Sequence, residues 1–372
     1  MLLKQSNIRL VLMMGQAVPL PAPSAVMNAL SRVEVTNDSH GSDGFQISFN
    51  ISKSQPMDYD LLQSGLLTQG TRVIIGVLLG AMPQVLIDGI IAHHQVAPSA
   101  EPGASTLSVT GKDVSVMMDL EEKNASYENQ SDDVIVTQLI GAYAQYGLVP
   151  KTGPTTYTPL ATEHTPRQAE TDLKFIQRMA QRNGYVFYVE PVTFNVNTAY
   201  WGPENRVTPP QPRLTMGVGV QSNLKSLSFS QDSLAPVMTQ GSFIEETSGQ
   251  TIPIPPIPPL RVPPFVTTPT PALRTVLMRD TANQSALQAV ISALAAALKV
   301  PDSVTGSGEV DTVRYGSILR ARRLVNVRGA GLSYDGLYYV SRVTHTITRG
   351  DYKQSFSISR EGTGALLPVV MP

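Results

Sequence analysis

The sequence predicts a mainly β protein with α+β insertions, built from two antiparallel β-barrels and a small α+β domain. Short runs of alternating apolar and polar residues, separated by Gly, Pro, Asn and Asp, fill the first third and the last part of the chain. Two helical patterns lie between them. The predicted domains are a first barrel at 1–113, an α+β domain at 114–212, a second barrel split into 213–245 and 310–362, an insertion at 246–309 and a tail at 363–372.

The predicted first barrel contains six strands and one helical turn. Several short strands with turn signals at close intervals are typical of a small barrel or sandwich. The helical turn is expected at Met57–Gly65. The strands are predicted at Ile8–Met14, Arg32–Thr36, Phe45–Ser52, Thr71–Leu79, Gln84–His94 and Ser105–Thr110.

The middle of the chain predicts two helices and a strand. Asp132–Tyr146 has apolar residues at helical spacing and is followed by Gly147, a common helix stop. In the second helix Thr171 is the expected N-cap, and Asn183-Gly184 forms the C-terminal stop. The apolar and aromatic strand Tyr185–Val189 follows, and we expect it to be covered on both faces.

The second barrel is predicted from strands at Leu214–Ser230 and Ser317–Arg360. Nine of the chain's 29 prolines lie between Pro253 and Pro271. Because proline excludes helices and central strands, this segment is expected to be a semi-rigid polyproline-like arm. A helix is predicted at Ala282–Leu298, with one apolar face made of Leu287, Val290, Ile291, Leu294 and Leu298.

The clearest hairpin is Gly336–Arg360, in which two alternating runs flank the turn Arg349-Gly350-Asp351. Its last six residues, Ser355–Arg360, match Ser48–Lys53 position for position with two conservative changes. This echo favours a duplication that made the two barrels related, although short Ser-rich alternations also arise by chance in strands.

Composition excludes several classes of function. Charged residues make up 15% of the chain, below the usual value of about 25%, so part of the surface is expected to be shared with partners. The net charge of −1 favours neither nucleic acid nor an anionic membrane, and no window is apolar enough for a membrane span. Met1–Gly15 is expected to be a first strand and not a signal peptide.

We predict no catalytic, cofactor or metal site. The chain has no cysteine, so thiol chemistry and disulfides are excluded. His93 and His94 would point to opposite faces of a strand, and His345 stands alone. Gly103–Lys112 superficially resembles a phosphate loop, but its spacing is wrong and Asp113 replaces the magnesium-binding hydroxyl.

The remaining motifs have ordinary structural explanations. Arg349-Gly350-Asp351 reads as a hairpin turn in preference to an adhesion tripeptide. Asp132-Asp133 is expected to start a helix, and Glu245-Glu246 to lie in a solvated loop. The sequons at Asn124, Asn129 and Asn283 carry little weight without a secretory signal.

Two segments resemble the baseplate hub proteins of contractile tails. The first is the hairpin, with Gly336, Tyr339, Val340, His345, Tyr352 and Phe356 in family order. The second is the helix ending at Asn183-Gly184, its aromatic strand and the turn Tyr200-Trp201-Gly202-Pro203. The family includes the late control gene D proteins and the hub half of VgrG-type spikes. Its core pattern has no counterpart of the proline-rich insertion.

The resemblance implies tail-tube-like barrels and a structural function. Three chains would form a six-barrel ring, a symmetry adaptor between a six-fold inner tube and a three-fold spike. The expected partners are the chain itself as a homotrimer, the inner tail-tube protein, a separate spike protein, and baseplate wedge or other baseplate components. No specific nucleic acid and no stable membrane insertion are expected.

The implied setting is a phage tail, a tailocin or an extracellular contractile injection system, assembled in the bacterial cytoplasm. A separate spike is expected because the sequence up to Pro372 shows neither a Gly-rich β-helix repeat nor a lysozyme-like domain. Two alternatives remain open, a particle-associated cell-wall hydrolase and an adhesive tail protein.

Overall fold

The computed structural model describes residues 8–16, 18–53, 58–80, 82–101, 103–159, 165–217, 219, 222–244, 249–278 and 286–366. Most of the ordered elements are strands, and the predicted mainly β class is confirmed. Thirteen of the described strands form one sheet that runs through both β-rich parts of the chain. No described helix is long and apolar enough to cross a membrane.

The first β-rich part curls around a single core. Buried side chains from six of its strands, including Leu12, Val33, Ile47, Leu86 and Val109, belong to one apolar cluster. One core shared by six neighbouring strands agrees with the predicted barrel. Its elements are β1 (Ile8–Gly15), β2 (Leu20–Pro21), α1 (Ser24–Ala29), β3 (Leu30–Asp38), β4 (Gly44–Ile51), α2 (Asp60–Gln63), β5 (Arg72–Leu79), β6 (Met82–Ala97) and β7 (Ser105–Asp113). All six predicted strands are present.

The middle part packs two helices against small sheets. Thr171 caps the second helix as predicted, because its hydroxyl accepts the Lys174 N–H at 3.4 Å. The core surrounds Trp201, which is fully buried and donates its indole N–H to the Ile176 carbonyl at 3.2 Å. The elements are β8 (Glu122–Ser126), α3 (Asp132–Gly141), β9 (Leu148–Thr152), β10 (Arg167–Thr171), α4 (Asp172–Arg182), β11 (Val186–Thr193) and β12 (Val196–Gly202), with 3₁₀ turns at Val114–Met118 and Ala144–Tyr146.

The second β-rich part has a core of its own, again supplied by six strands. Leu214, Leu224, Val304, Val325 and Phe356 are among its buried members. The strands are β13 (Gln211–Thr215), β14 (Leu224–Gln231), β19 (Val304–Asp311), β20 (Leu324–Arg328), β21 (Gly336–Thr348) and β22 (Asp351–Arg360), with helix α6 (Thr312–Tyr315).

The insertion lies between β14 and β19. It contains β15 (Val237–Ile244), β16 (Thr251–Ile257), β17 (Val266–Pro269), β18 (Arg274–Leu277) and α5 (Ala286–Leu298). β15 pairs with β16 and β18, whereas β19 pairs with β14 and β22 of the barrel. The domain division stays a prediction, but this pairing moves the insertion from 246–309 to the segment between Gln231 and Val304. The predicted tail also begins in a strand, β23 (Gly362–Ala365), which pairs with β17.

The proline-rich segment is not an extended arm, so that prediction is wrong. β16 is an edge strand, where missing N–H groups are tolerated, and β17 pairs with β23. Phe265 and Val266 pack with Leu324 and Tyr339 of the second barrel. Burial of these side chains holds the segment against the barrel.

The residues predicted along one apolar face of α5 are not its most buried residues. Val290, Leu294 and Leu298 are largely exposed, and the side chain of Leu287 lies outside the described residues. Small side chains are buried instead, namely Ala289, Ala293, Ala295 and Ala297. The small alanine side chains allow α5 to lie close to Gly184, which follows α4. A Cβ added to Gly184 would be only 3.0 Å from the Cα of Ala295.

Candidate assembly surface

One antiparallel strand pair joins the two barrels. β3 of the first barrel pairs with the C-terminal half of β21, from Asp38 opposite Arg342 to Arg32 opposite Thr348. We call this pair the joint. The Arg342 guanidinium donates to the Asp38 carboxylate at 2.8 and 2.5 Å, and the hydroxyls of Thr36 and Thr344 lie 3.2 Å apart. Burial alone would raise the pKa of Asp38, but the His40 N–H bond and Arg342 together lower it.

A buried ionic cluster lies beneath the joint. Arg322, on the loop before β20, donates to both carboxylate oxygens of Asp43, at 3.0 and 2.5 Å, and to the Asp38 carbonyl at 2.6 Å. Its guanidinium lies over the Tyr188 ring of the middle part, 4.4 Å from the centroid. One side chain of the second barrel therefore contacts the other two parts of the chain.

Asp113 is the carboxyl in this cluster with the most altered acidity. Complete burial, and then the nearby Asp43 charge, raise the pKa of Asp113 to about 6. Its Oδ1 accepts the Ser115 N–H at 2.8 Å. Because the group is buried beneath the joint, it is not available to a substrate.

The two barrels have the same strand order. The first runs β1-β5-β6-β7-β4-β3 and the second β13-β20-β21-β22-β19-β14. When the two-residue strand β2 is left out, both barrels arrange their strands, numbered in chain order, as first, fourth, fifth, sixth, third and second. One pair differs in direction, since β1 and β5 are antiparallel and β13 and β20 are parallel. The prediction of two related barrels is confirmed by this shared topology.

Irregularities in the strands fix the correspondence residue by residue. The fifth strand of each barrel has a bulge, at Ala92 in β6 and at Ser341 in β21. The second strand of each has another, at Ser31 in β3 and at Lys225 in β14. Bulges are positional features of a family of strands, so these two matching pairs support equivalence, although a further bulge at Leu86 in β6 has no counterpart where β20 pairs with β21.

The loop before the fourth strand is also repeated. Gly70 donates its N–H to the Ile91 carbonyl at 2.8 Å, and Arg322 donates its N–H to the Val340 carbonyl at 2.7 Å. Both donors have left-handed backbones, with φ of +82° and +62° respectively. Arg322 thus occupies a position where the first barrel uses glycine.

The sequence echo is not part of this repeat. Ser48–Lys53 begins in β4, the third strand of its barrel, whereas Ser355–Arg360 lies in β22, the sixth strand of its own. The matching residues are therefore not equivalent, and the alternation of serine with apolar residues reflects the common demands of half-buried strands.

The outward side of the joined sheet is rich in hydroxyl groups. Facing hydroxyls are close at Ser48 and Ser108 (3.4 Å) and at Ser228 and Ser307 (3.0 Å). A groove of about 450 Å³ crosses this side over β14, β19, β22 and β21. Several charges on it form ion pairs, Arg32 with Glu34, Lys225 with Glu309 and Arg342 with Asp38, while Lys112 of β7 is exposed on the same side as Ser108. We call this surface the polar face.

Two of the open strand edges in the large sheet lie at positions equivalent to the two strands of the joint. β14 ends the large sheet and pairs only with β19. The C-terminal part of β6, His93–Ala97, pairs only with β7, because its pairing with β5 stops at Ile90. We call these the free edges. Open strand edges are ready templates for pairing with another strand.

The predicted histidines do not form a site together. His93 and His94 lie on the free edge of β6 and face opposite sides. His345 is fully buried, its Nδ1 lies 2.9 Å from the Tyr352 hydroxyl, and burial lowers the pKa of His345 to about 3, with Arg320 adding to the effect. Among the described residues, no group of three or more His, Asp and Glu could hold a metal ion.

The other motifs occupy regular structure. Arg349-Gly350-Asp351 is the turn between β21 and β22, with Gly350 at φ +85° and Arg349 donating to the Asn28 carbonyl at 2.6 Å. The segment 105–113 is strand β7 and not a phosphate loop. Asp132 starts α3, while Glu245, Glu246 and Asn283 lie outside the described residues. The free edges were missed from sequence because strand pairing over long separations leaves no local signal.

Comparison with solved structures shows a shared fold. The chain is similar to a tail protein from Neisseria meningitidis MC58, at 15% identity and a TM-score of 0.63, covering 95% of this chain and 97% of that one. It is equally similar to the 43 kDa tail protein of prophage MuSo2 from Shewanella oneidensis, at 12% identity and 0.63, covering 95% and 99%. The E. coli c3393 protein, a type VI secretion component described as similar to bacteriophage T4 tail proteins gp27 and gp5, aligns at 13% identity and 0.54, covering 92% and 77%.

Sequence comparison gives one match. A family model described as the Alg8 N-terminal domain matches residues 32–208, fewer than half of the chain. That segment is not a structural unit here, since it begins inside β3 and omits β1 and β21, which pair with strands within it. No curated protein matches the chain.

Proposed function

We propose that this chain is a structural protein of a phage tail or related contractile injection particle, and that three copies form its baseplate hub. The observation that carries the proposal is the repeated barrel, with one strand order, matching bulges and an edge-to-edge joint between the repeats. The similarity in fold to tail proteins over nearly the whole chain supports it.

A duplicated barrel suits the task of matching two symmetries. Three chains with two similar barrels each present six similar surfaces to a six-fold tube, while the remainder of each chain keeps three-fold symmetry toward a spike. The middle part and the insertion each occur once per chain, so they suit the three-fold contacts. The inner tail-tube protein, a separate spike protein and other baseplate components are the proposed partners.

The polar face would line the channel of such a ring. Hydroxyl groups are frequent among its side chains, and most of its charges lie in ion pairs. A wall of this kind offers a passing polymer neither an apolar patch nor a field of one sign, so the polymer is not retained. Specific binding of nucleic acid is not part of the proposal.

Hydrolysis of cell wall is not favoured by the geometry. Glycoside hydrolysis needs two carboxyl groups flanking an open cleft, one of them with a raised pKa. Asp113 has such a pKa, but its side chain is buried beneath the joint. The chain is therefore proposed to act without catalysis, with no catalytic, cofactor or metal residue.

The test is a mass measurement followed by imaging. Light scattering of the purified protein over a range of concentrations is expected to show three copies per particle. Electron microscopy of the assembled tail tip should then show a three-fold ring whose tube-facing side approximates six-fold symmetry. A chain that stays monomeric within the assembled tip, or that forms a ring of six copies, would contradict the proposal.

A further inference from the structure

Because the two barrels correspond residue by residue, the joint shows which kind of strand could pair with each free edge. In the joint, the second strand of the first barrel pairs with the C-terminal half of the fifth strand of the second barrel. The strands equivalent to these are β14 and the end of β6, and they are the two free edges of one chain. They lie on different barrels, and each is already paired along its other side.

We propose that β14 of one copy pairs antiparallel with His93–Ala97 of a second copy, in the register of the joint. This inference rests on the proposed hub and specifies its contact between copies. The occupant of each free edge is a second copy of this chain, because the chain already contains the same contact once, complete with bulges. Pairing of this kind is heterologous, so it closes into a ring only when the rotation between copies allows.

The register follows from the matched bulges. Ser226, Ser228, Ser230, Gln231 and Asp232 correspond to Arg32, Glu34, Thr36, Asn37 and Asp38. His93, Gln95, Val96 and Ala97 correspond to Arg342, Thr344, His345 and Thr346. Ser230 therefore lies opposite Gln95, as Thr36 lies opposite Thr344.

Charge complementarity supports this register. Asp232 takes the position of Asp38 and His93 that of Arg342, so an acidic side chain again faces a basic one. The two carboxylates are held alike, since Asp38 accepts the N–H of His40 and Asp232 that of Leu234, each two residues further on. In each case this leaves the second carboxylate oxygen available to a cation across the strands.

Apolar packing supports it as well. Val96 is 37% exposed on the free edge, although its equivalent, His345, is fully buried under the joint. The residue predicted opposite Val96 is Phe229, a half-buried side chain that stacks on Tyr334. Pairing of the free edges would cover Val96 as the joint covers His345.

Disulfide cross-linking tests the register, because the natural chain has no cysteine to interfere. Residues directly opposite in an antiparallel pair are close enough for a disulfide. We expect S230C/Q95C to form covalent trimers under mild oxidation, seen on a non-reducing gel and lost on reduction. S226C/Q95C is the matched control, since its cysteines would be displaced by about 13 Å along the strand. T36C/T344C should give a disulfide within one chain and shows that the joint geometry permits the bond.

The outcomes separate the register from the hub. A trimer by mass whose S230C/Q95C variant does not cross-link, while T36C/T344C does, would overturn the register and leave the hub standing. A ladder of cross-linked chains that does not stop at three would support the strand pairing and contradict the hub. Cross-linking of S226C/Q95C with equal efficiency would also refute the register.

A charge exchange gives a second readout. Asp232→Arg should raise the concentration needed for half-assembly by about fivefold for each contact, the usual scale of an exposed ion pair. The double variant H93D/D232R, which exchanges the two charges, should bring assembly back near the wild-type concentration. If H93D/D232R assembles no better than Asp232→Arg alone, the two side chains do not face each other.

Discussion

Arg322 offers the sharpest test of how the barrels are held together. Its side chain is 5% exposed and is bound at both ends of the guanidinium fork by Asp43 and the Asp38 carbonyl. Removing one partner of a buried ion pair costs about 3–5 kcal/mol, because the other charge stays buried. Asp43 keeps two other donors, the Asn37 amide and the Asp38 N–H, both at 2.9 Å. We therefore expect Arg322→Met to lower the free energy of unfolding by about 3 kcal/mol at pH 8.

The loss should depend on pH in a defined direction. Burial and then Asp43 already raise the pKa of Asp113, and Arg322 opposes that rise. Without Arg322 the pKa of this carboxyl rises further, so the fold binds a proton that the unfolded chain does not bind at the same pH. A group with a raised folded-state pKa stabilises the fold as the pH falls. The deficit of Arg322→Met should accordingly shrink between pH 8 and pH 5.

Two control variants separate charge from shape. D43N/R322M removes both charges and should be more stable than Arg322→Met alone, since the Asp43 charge is no longer left unpaired beside the buried Asp113. Arg322→Gly removes the cost of holding a non-glycine residue in the left-handed conformation, which is about 1 kcal/mol, but it loses the same ion pair. It should therefore fall between Arg322→Met and the wild type.

The assay is urea unfolding followed by two probes. Far-UV circular dichroism reports the barrels, while fluorescence of the chain's single tryptophan, Trp201, reports the core of the middle part. Because Arg322 contacts Tyr188 in that part, both transitions should move to lower urea. An Arg322→Met variant within about 1 kcal/mol of wild type at pH 8, or a deficit that does not change at pH 5, would refute the reasoning.

Three further predictions test other parts of the fold. Burial depresses the pKa of His345 to about 3, so this group should lower the stability of the wild type by about 2 kcal/mol between pH 8 and pH 5, opposite in sign to the contribution of Asp113, because the unfolded chain takes up a proton; His345→Gln should abolish this component, and equal acid slopes in the two proteins would contradict it. Gly147→Ala should lower the urea midpoint of the fluorescence transition only, because φ is +75° and a Cβ would lie 2.0 Å from the Asn195 carbonyl oxygen. An unchanged fluorescence midpoint would argue against this close approach. Thr171→Val should cost about 1 kcal/mol through loss of the α4 cap while Thr171→Ser keeps most of it, as measured by fluorescence-detected unfolding.

Local signals account for what could be predicted from the sequence. Each predicted strand of the first barrel is present, because alternation and turn residues are properties of neighbouring positions. The cap at Thr171 and the turn at Gly350 follow from their own side chains or backbone. The expectation that histidines 93 and 94 face opposite sides is also local, and β6 has that geometry.

What could not be predicted depends on long-range pairing. Nothing in β15 marks it as part of the insertion, since a half-buried strand has the same alternation wherever it pairs. The buried residues of α5 could not be predicted because leucine is usually buried before alanine, whereas the close contact of Ala295 with Gly184 favours a small side chain. The joint between β3 and β21 connects residues about 300 positions apart, so no window of the sequence contains it.

The duplication is preserved in shape and not in residues. Val35 is equivalent to Phe229, and Gly111 is equivalent to Ile358. The two members of each pair face the inside of their barrel but differ in residue type. A barrel core needs apolar volume facing inward, and many residues supply it, so identities diverge while bulges persist. The match between Ser48–Lys53 and Ser355–Arg360 was misleading for the same reason. Two half-buried strands can have similar sequences without occupying equivalent positions in their barrels.

The exchange of Gly70 for Arg322 at equivalent positions bears on how a ring would assemble. The residue equivalent to Asp43 in the second barrel is Val304, so the free edges lack both members of the buried ion pair beneath the joint. In the proposed ring, contact between copies would depend on exposed pairs such as His93 with Asp232, each worth about 0–1 kcal/mol. The joint within a chain would therefore form as the chain folds, whereas the proposed joint between copies would form later and reversibly. Such an order would favour folded two-barrel subunits as the units that close into the proposed ring.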